Sequence, residues 1–509
     1  MLYQHLRYIV RYDGEMTELF QALMGILIGD PASPMLWLLF ISDFDLDDHV
    51  DDVFLAGRRV SHLEQADDMA LMSYSATGMQ NKLDQFERYC AVTFVHINVP
   101  KSAASIHGPL PTHLPRLVLC GIPLQFAPTA TYVGMTLSST ERDIFHVHHE
   151  TKATKARQAA GAAMSIESYT GHLPPHIALT LYRAHVDPHL TAGCEVALAT
   201  RSGAIDELED VQRTFLRRAL SVSKRSQTAP LYTETGIWPL AYRRFQLAVR
   251  YLIYVLRDRP PMVYAAFTEQ WEMSAQHGTP SWWGDLHLTG MALPVPVTVP
   301  LATRPSVESL ESCLSDVAHS LAAYLRDSVM ASRRLPVLQH RMLSLCPAGN
   351  APSLKAVCTW RDYLALDRRQ QRQAITLLLF SEHPLAVERL RRAPAPHPIP
   401  REWRVCRFCR NPQEVEDETH TLLTCPARPL QARRAAFLRD AFAQQPSLIR
   451  LGDRLRPQAF LDVLLSTAGT LAAFSDYIAD VFELCESTPM VIISSEEEYH
   501  EFSQGTHAT

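Results

Sequence analysis

The chain has 509 residues, 47% of them hydrophobic and 20% charged, with a formal net charge of −6. That composition supports packed cores in about two to four domains and is unlike a strongly basic nucleic-acid-binding protein, although local basic patches can still contact phosphate. No apolar run reaches the roughly 18 to 20 residues of a membrane helix, no signal-peptide plan opens the chain, and ten scattered cysteines do not form a secreted disulfide framework. The expectation is an intracellular protein, nuclear or cytoplasmic, with no membrane partner; oligomeric state is not legible.

Residues 8–20 read as a hairpin turning at Asp13-Gly14. Gly25 and Gly29 allow a backbone to approach a ligand. Ser33 and Pro34 suit the N-cap and first position of an apolar helix over 35–44. The acids Asp43, Asp45, Asp47, Asp48, Asp51 and Asp52 lack the glycine and terminal glutamate of a calcium loop and read as a solvated connection. Val60, His62 and Glu64 then alternate before Asp67-Asp68, and Met69, Leu71 and Ser73 alternate after it. A period of two on both sides predicts a hairpin with adjacent carboxylates at its tip. Such a pair suits a hard cation such as Mg²⁺, which takes few protein oxygens and keeps positions for water and phosphate; the plainer alternative is a solvated turn.

The order of these segments resembles the reverse transcriptases of non-LTR retrotransposons. In that family a Gly-Asp-Pro-x-Ser-Pro block, here Gly29 to Pro34, precedes a helix, and a Tyr-Ala-Asp-Asp hairpin follows, here Gln65 to Asp68. Asn98 with Lys101, and Tyr132-Val133-Gly134-Met135, resemble two further blocks, the second being the primer grip. The resemblance implies a polymerase palm over 1–140. Asp67 would be a Mg²⁺ ligand, Asp68 its supporting neighbour and Lys101 a proton donor to the leaving pyrophosphate; Gly29, Asp30 and Ser33 would lie at the incoming nucleotide. The partner would be an RNA/DNA template-primer. Gln65 replaces the family's tyrosine and Ile28 its glutamine. The family also takes one catalytic aspartate from a strand ahead of the Gly-Asp-Pro block, where this sequence offers only Asp13 in a turn. The expectation is therefore a truncated palm that does not polymerise by itself, with Mg²⁺ relevant only if the palm site functions.

Residues 141–259 read as a helical thumb or connector, with helices predicted over 151–166, 175–186 and 205–220. Arg213, Arg217, Arg218, Lys224, Arg225, Arg243, Arg244 and Arg250 read either as a template-tracking surface or as a solvated basic face. His146, His148 and His149, without partner cysteines, read as surface residues. Residues 260–305, rich in proline and threonine, read as an irregular linker, 306–393 as a second helical region, and 394–400 as a stiff polyproline-like spacer.

The span 394–430 also carries Cys406-Arg407-Phe408-Cys409, His420 and Cys425. A Cys-x-x-Cys pair with a later His and Cys fits a structural Zn²⁺ knuckle, and the segment 418–426 is similar to the zinc-binding segment that follows non-LTR reverse transcriptases; the alternative is a reduced cysteine pair with a surface histidine. Cys90, Cys120, Cys194, Cys313, Cys346, Cys358 and Cys485 read as core thiols. Helices are expected over 431–486 and a disordered acidic tail over 487–509. The predicted architecture is α+β: a partial palm, a mostly helical thumb and connector, then a zinc knuckle with C-terminal helices. Two rival readings are a non-catalytic nucleic-acid-binding remnant, using the basic helices and the knuckle, and a fragment folded only in part.

Overall fold

A computed structural model of the chain describes residues 7–21, 27, 29–200, 203–345, 353–392 and 399–505. The fold is α+β, with helices predominating, and the chain forms two compact units: Met1–His148 with Pro260–Glu269, and His149–Arg259 with Gln270–Thr509. Among the described residues the strands pair only in twos.

In the first unit five antiparallel pairs are hairpins with two-residue turns. They join β1 (Arg11–Tyr12) to β2 (Glu15–Met16), β3 (Val53–Leu55) to β4 (Arg58–Val60), β5 (His62–Gln65) to β6 (Asp68–Leu71), β8 (Val118–Leu119) to β9 (Ile122–Pro123), and β11 (Thr129–Tyr132) to β12 (Met135–Ser138). The sixth pair joins β7 (Ala103–Ala104) to β10 (Gln125–Phe126) in parallel. Four of the turns place a residue followed by glycine at positive φ, as at Asp13-Gly14 and Val133-Gly134, the arrangement whose twist matches the flanking strands. The β5–β6 turn is Ala66-Asp67, with Ala66 itself at φ 55°. An alanine there costs about 1 kcal/mol or more, so its surroundings must hold it.

Helix α1 (Ser33–Ile41) is shorter than expected, and Ser33 is its first residue; Ala32 precedes it without a side-chain cap. The chain turns after Ile41, where Phe44 N–H donates to the Ile41 carbonyl, and this sends Phe44 and Leu46 into a core with Trp37, Met69, Phe86 and Tyr89. Helix α2 (Ala76–Thr93) is capped by Ser75, whose hydroxyl accepts from Gly78 N–H, and ends at Phe94 in the left-handed region. A Cβ at Gly78 would stand 2.4 Å from Ser73 Oγ, so the cap requires glycine.

The acidic run is not simply a solvated loop. Asp52 is 2% exposed and its carboxylate lies 2.6 Å from the equally buried Lys82 ammonium, while Arg59 reaches Asp45, Asp48 and Asp52. Lys82 also donates to the carbonyls of Met72 (2.5 Å) and Ser61 (3.4 Å). The pair therefore clamps the base of the β5–β6 hairpin. Only long-range pairing makes such burial tolerable, which is why the local sequence pattern misjudged these acids.

Helix α3 (His146–Ser165) leads to the second unit, which is helical. His148 and His149 are buried, contrary to the surface reading; His149 lies 3.3 Å from the Ala197 carbonyl and 3.2 Å from the Arg244 guanidinium. The helices Pro175–Leu181, Ala204–Ala219 and Leu240–Asp258 follow, and the last packs against Val307–Met330, with Tyr242 and Tyr324 stacked 5.9 Å apart. The expected linker 260–305 instead contains the helices Pro261–His277 and Trp282–Met291. Proline suits a first helical turn, and Ser281 caps the second helix by accepting from Gly284 N–H; residues that look like breakers are here starting signals. Most of the polyproline spacer, and Cys346, lie outside the described residues. Of the cysteines read as core thiols, Cys90, Cys194, Cys313, Cys358 and Cys485 are buried and Cys120 is exposed.

Toward the C-terminus, Ala468–Ser487 is the central helix, packed against Arg369–Leu379 and Arg428–Gln444, with Phe437 and Tyr477 stacked 5.0 Å apart. The acidic tail was expected to be disordered; within the described residues it forms the helix Glu496–Gly505. Tyr499 stacks on Trp403 at 6.0 Å and donates to the Pro412 carbonyl, and these contacts supply the order that an acidic composition alone does not. Among the described residues no helix is long and apolar enough to cross a membrane; one bent pair, Pro457–Ser466 with Ala468–Ser487, passes by length and composition, and both helices contribute core residues.

Candidate metal centre and acidic hairpin

Residues 399–425 fold around a short bridge between Val405 and Val415. Cys406 N–H donates to the Glu414 carbonyl, and Arg410 N–H donates back to the Cys406 carbonyl with Arg410 at φ 52°; this tight turn presents Cys406 and Cys409 to the same side. His420 opens a single π turn, His420–Thr424, and Cys425 follows it. Asp417 caps that turn by accepting from His420 N–H at 2.9 Å. Arg434 donates to the carbonyls of Leu422, Leu423 and Cys425, and Tyr477 donates to that of Leu422, so the carbonyls a helix end leaves open are filled.

The donor atoms of Cys406, Cys409, His420 and Cys425 all lie within 4.8 Å of one another, and this is the one group of three or more His, Cys, Asp or Glu side chains among the described residues able to hold a metal ion. Cys406 Sγ and Cys425 Sγ are 3.8 Å apart, and Cys409 Sγ is 3.4 Å from His420 Nε2. A tetrahedral ion with thiolate bonds of about 2.3 Å and an imidazole bond of about 2.0 Å has edges of roughly 3.8 and 3.5 Å. The fit of both edges argues for one shared cation. Hydrogen bonding with Cys406 and Cys425 holds the Cys409 thiol well below its usual value, hydrogen bonding with Cys409 and Cys425 pushes Cys406 up, and His420, which burial alone would lower, is raised to about 10 by Cys409 and Cys425.

Sequence spacing misses the supporting shell. Glu414 lies 2.9 Å from His420 Nδ1, leaving Nε2 toward the thiols, the carboxylate–histidine arrangement that fixes a ligand's ring and tautomer. Arg407, between the two cysteines of the first pair, is buried and ion-paired to Glu416 at 2.6 Å, and it donates to the carbonyls of Pro384, Cys485 and Thr488. Leu422 is fully buried and Phe408 half-buried.

In the first unit Asp67 occupies the second turn position of the β5–β6 hairpin, Asp68 begins β6, and both are exposed. Trp37 Nε1 donates to the Ala66 carbonyl at 2.5 Å, so the tip is tied to α1 while Lys82 holds the base. Tyr132 ends β11 at the β11–β12 turn, and its phenol is raised by burial and then by the negative charge of Asp68 and Glu64. Gly29 sits in a turn at φ 88°; Asp30 accepts from Ala32 N–H, and the buried Ser33 donates to the Leu27 carbonyl. Lys101 is exposed at the end of a short 3₁₀ turn, Val99–Lys101. No third His, Cys, Asp or Glu joins Asp67 and Asp68 among the described residues, and two adjacent turn carboxylates do not by themselves make a Mg²⁺ site.

The basic cluster is largely consumed inside its own unit. Arg213 pairs with Glu209, Arg218 with Glu167, and Arg243 with Asp187 at 2.7 Å; Arg217 donates to Ser226 and Thr228, and the buried Arg244 to the carbonyls of Leu190 and Ala197. Lys224, Arg225 and Arg250 stay exposed. The cluster is neither a free phosphate-tracking stripe nor a merely solvated face. No protein-family model matches this chain, and no curated protein matches it either.

Proposed function

We propose that this chain is a reverse-transcriptase domain protein of the non-LTR retrotransposon type, that it engages an RNA/DNA template-primer, and that its Cys406, Cys409, His420 and Cys425 cluster binds one structural Zn²⁺. The observation that carries the reading is the Cys₃His donor set gathered within 4.8 Å, because its segment is similar to the one that follows non-LTR reverse transcriptases; its thiolate-rich donors suit Zn²⁺ over Mg²⁺ or Ca²⁺. Bound there, zinc would fix the knuckle rather than act on substrate, because four protein donors leave no open position.

In this reading Asp67 would be the metal-binding carboxylate, Asp68 its neighbour, Gly29 the backbone approach to a nucleotide and Lys101 a proton donor. Two-metal phosphoryl transfer requires the ions to clamp both attacking and leaving oxygens. Asp67 and Asp68 stand without a third carboxylate among the described residues, so the chain acts as a template-primer-binding protein that does not polymerise alone. This favours the non-catalytic variant of the reading. Purified protein with an RNA template, a DNA primer and Mg²⁺ or Mn²⁺ should bind the duplex and give no extension product. Extension that Asp67→Ala abolishes would overturn the non-catalytic assignment, and failure to bind any primer-template would overturn the reading as a whole.

A further inference from the structure

The four donors of the knuckle are not equally accessible. Cys406 and Cys425 are fully buried and His420 is 5% exposed, whereas Cys409 is half-buried and is followed by the exposed Arg410 and Asn411. Cys409 is therefore the sulfur of this set that a small solute meets first. Its own surroundings are sulfur-rich: Cys406 Sγ and Cys425 Sγ both lie within 4.8 Å of it, and a disulfide bond of about 2 Å is reached from that spacing by side-chain rotation and a small backbone shift. Elsewhere, Cys90, Cys194, Cys313, Cys358 and Cys485 are buried; Cys120 is exposed, but burial and then the charge of Glu87 push its thiol up, which disfavours the reactive thiolate. The knuckle is also a seat for the end of the chain. Tyr499, on the helix Glu496–Gly505, donates at 3.0 Å to the carbonyl of Pro412, which lies between Cys409 and Glu414, and stacks on Trp403.

We infer that Cys409 is an oxidation site, at which a peroxide closes a disulfide inside the knuckle and thereby unseats the C-terminal helix Glu496–Gly505. The inference rests on the zinc reading proposed above. The Cys409 thiolate attacks one peroxide oxygen; an S–O bond forms, the O–O bond breaks and hydroxide leaves, giving a sulfenic acid. The thiolate of Cys406 or Cys425 then attacks that sulfur; an S–S bond forms, the S–O bond breaks and a second hydroxide leaves. The two sulfurs together give up two electrons to the peroxide, and two solvent protons convert the hydroxides to water. His420 and a single thiolate remain as donors, too few for the tetrahedral set that retains zinc. Metal loss removes the energy that orders the segment, and the Pro412 carbonyl that holds Tyr499 goes with it.

The test uses zinc-loaded, full-length protein and hydrogen peroxide, with a chromogenic chelator too weak to strip zinc from the reduced protein. Peroxide should release about one zinc per chain. In parallel samples dimedone should trap its first sulfenic acid on Cys409, and peptide mass mapping without dimedone should find Cys409 joined to Cys406 or Cys425. Amide exchange over residues 496–505 should rise as zinc leaves, and dithiothreitol with added zinc should reverse all three changes. Cys120→Ser, which removes the exposed thiol of the other unit, should release zinc at the wild-type rate. Zinc retained at peroxide concentrations that fully oxidise Cys120 would overturn the inference and leave the zinc reading standing. A first adduct on Cys406 or Cys425, or unchanged exchange over 496–505 after zinc release, would overturn it equally. Protein that takes up no zinc at all overturns both.

Discussion

The acidic hairpin and the cysteine-histidine knuckle are both small turns that present chemistry-bearing side chains, and they are completed in opposite ways. The knuckle draws its four donors from residues 406–425 and brings them all within 4.8 Å. The hairpin offers two exposed carboxylates and depends on distant residues for its shape: Trp37 at the tip, and Lys82 and Asp52 at the base. A local ligand set assembles its chemistry wherever the segment folds. A site built from dispersed blocks is only as complete as the scaffold around it.

The largest expected effect would break the knuckle side of this contrast. Metal analysis of the purified protein should give about one zinc per chain, since one tetrahedral donor set is present. Because metal binding to such a site supplies folding energy on the order of 10 kcal/mol, a strong chelator or Cys425→Ser should unfold residues 399–425, seen as loss of amide protection there. Zinc content unchanged in Cys425→Ser would remove the site. The hairpin's base comes next. Asp52→Asn strands the buried Lys82 and should cost about 3 to 5 kcal/mol in the first unit, measured by hydrogen exchange of the β5–β6 amides. Burial works to raise the Asp52 pKa, but Lys82, His49 N–H and Arg59 hold it below its usual 3.8. With the folded value the lower one, its stabilisation is present above about pH 4 and fades as pH falls through the folded value. Loss of β5–β6 protection on raising the pH from 5 to 8 would contradict that sign.

Glu414→Ala should sharpen the comparison by weakening zinc affinity without abolishing it. Outer carboxylates of this type contribute 10- to 100-fold, and with the Glu414 side chain 47% exposed the loss should be near tenfold in a competition titration. Smallest is Trp37→Phe, which keeps a ring and removes the donor to Ala66. It should cost about 1 kcal/mol and speed exchange at the hairpin tip while leaving the base protected; uniform loosening of tip and base would mean that Trp37 acts through the core instead.

The sequence exposes what is local. The β5–β6 hairpin follows from alternation over 60–73, the Asp13-Gly14 turn from its dipeptide, and the knuckle from Cys-x-x-Cys spacing. Hidden were the features that depend on partners far along the chain. Asp52 looks solvated until Lys82 arrives from α2, the arginines after Arg213 look free until Glu167, Asp187 and Glu209 claim them, and the C-terminal acids look unstructured until Tyr499 meets Trp403. The prolines and serines of 260–305 misled for another reason: they mark helix starts as readily as breaks. Glu414 had no readable signal, because only the fold turns it toward His420.

Arg407 has a consequence for how the protein is made. Its guanidinium lies within the metal-binding turn, yet two of its acceptors are the carbonyls of Cys485 and Thr488, close to eighty residues downstream. During synthesis the four metal donors emerge well before those carbonyls do. The turn that carries the metal donors is therefore completed only when residues 485 and 488 pack over Arg407 and accept from its guanidinium.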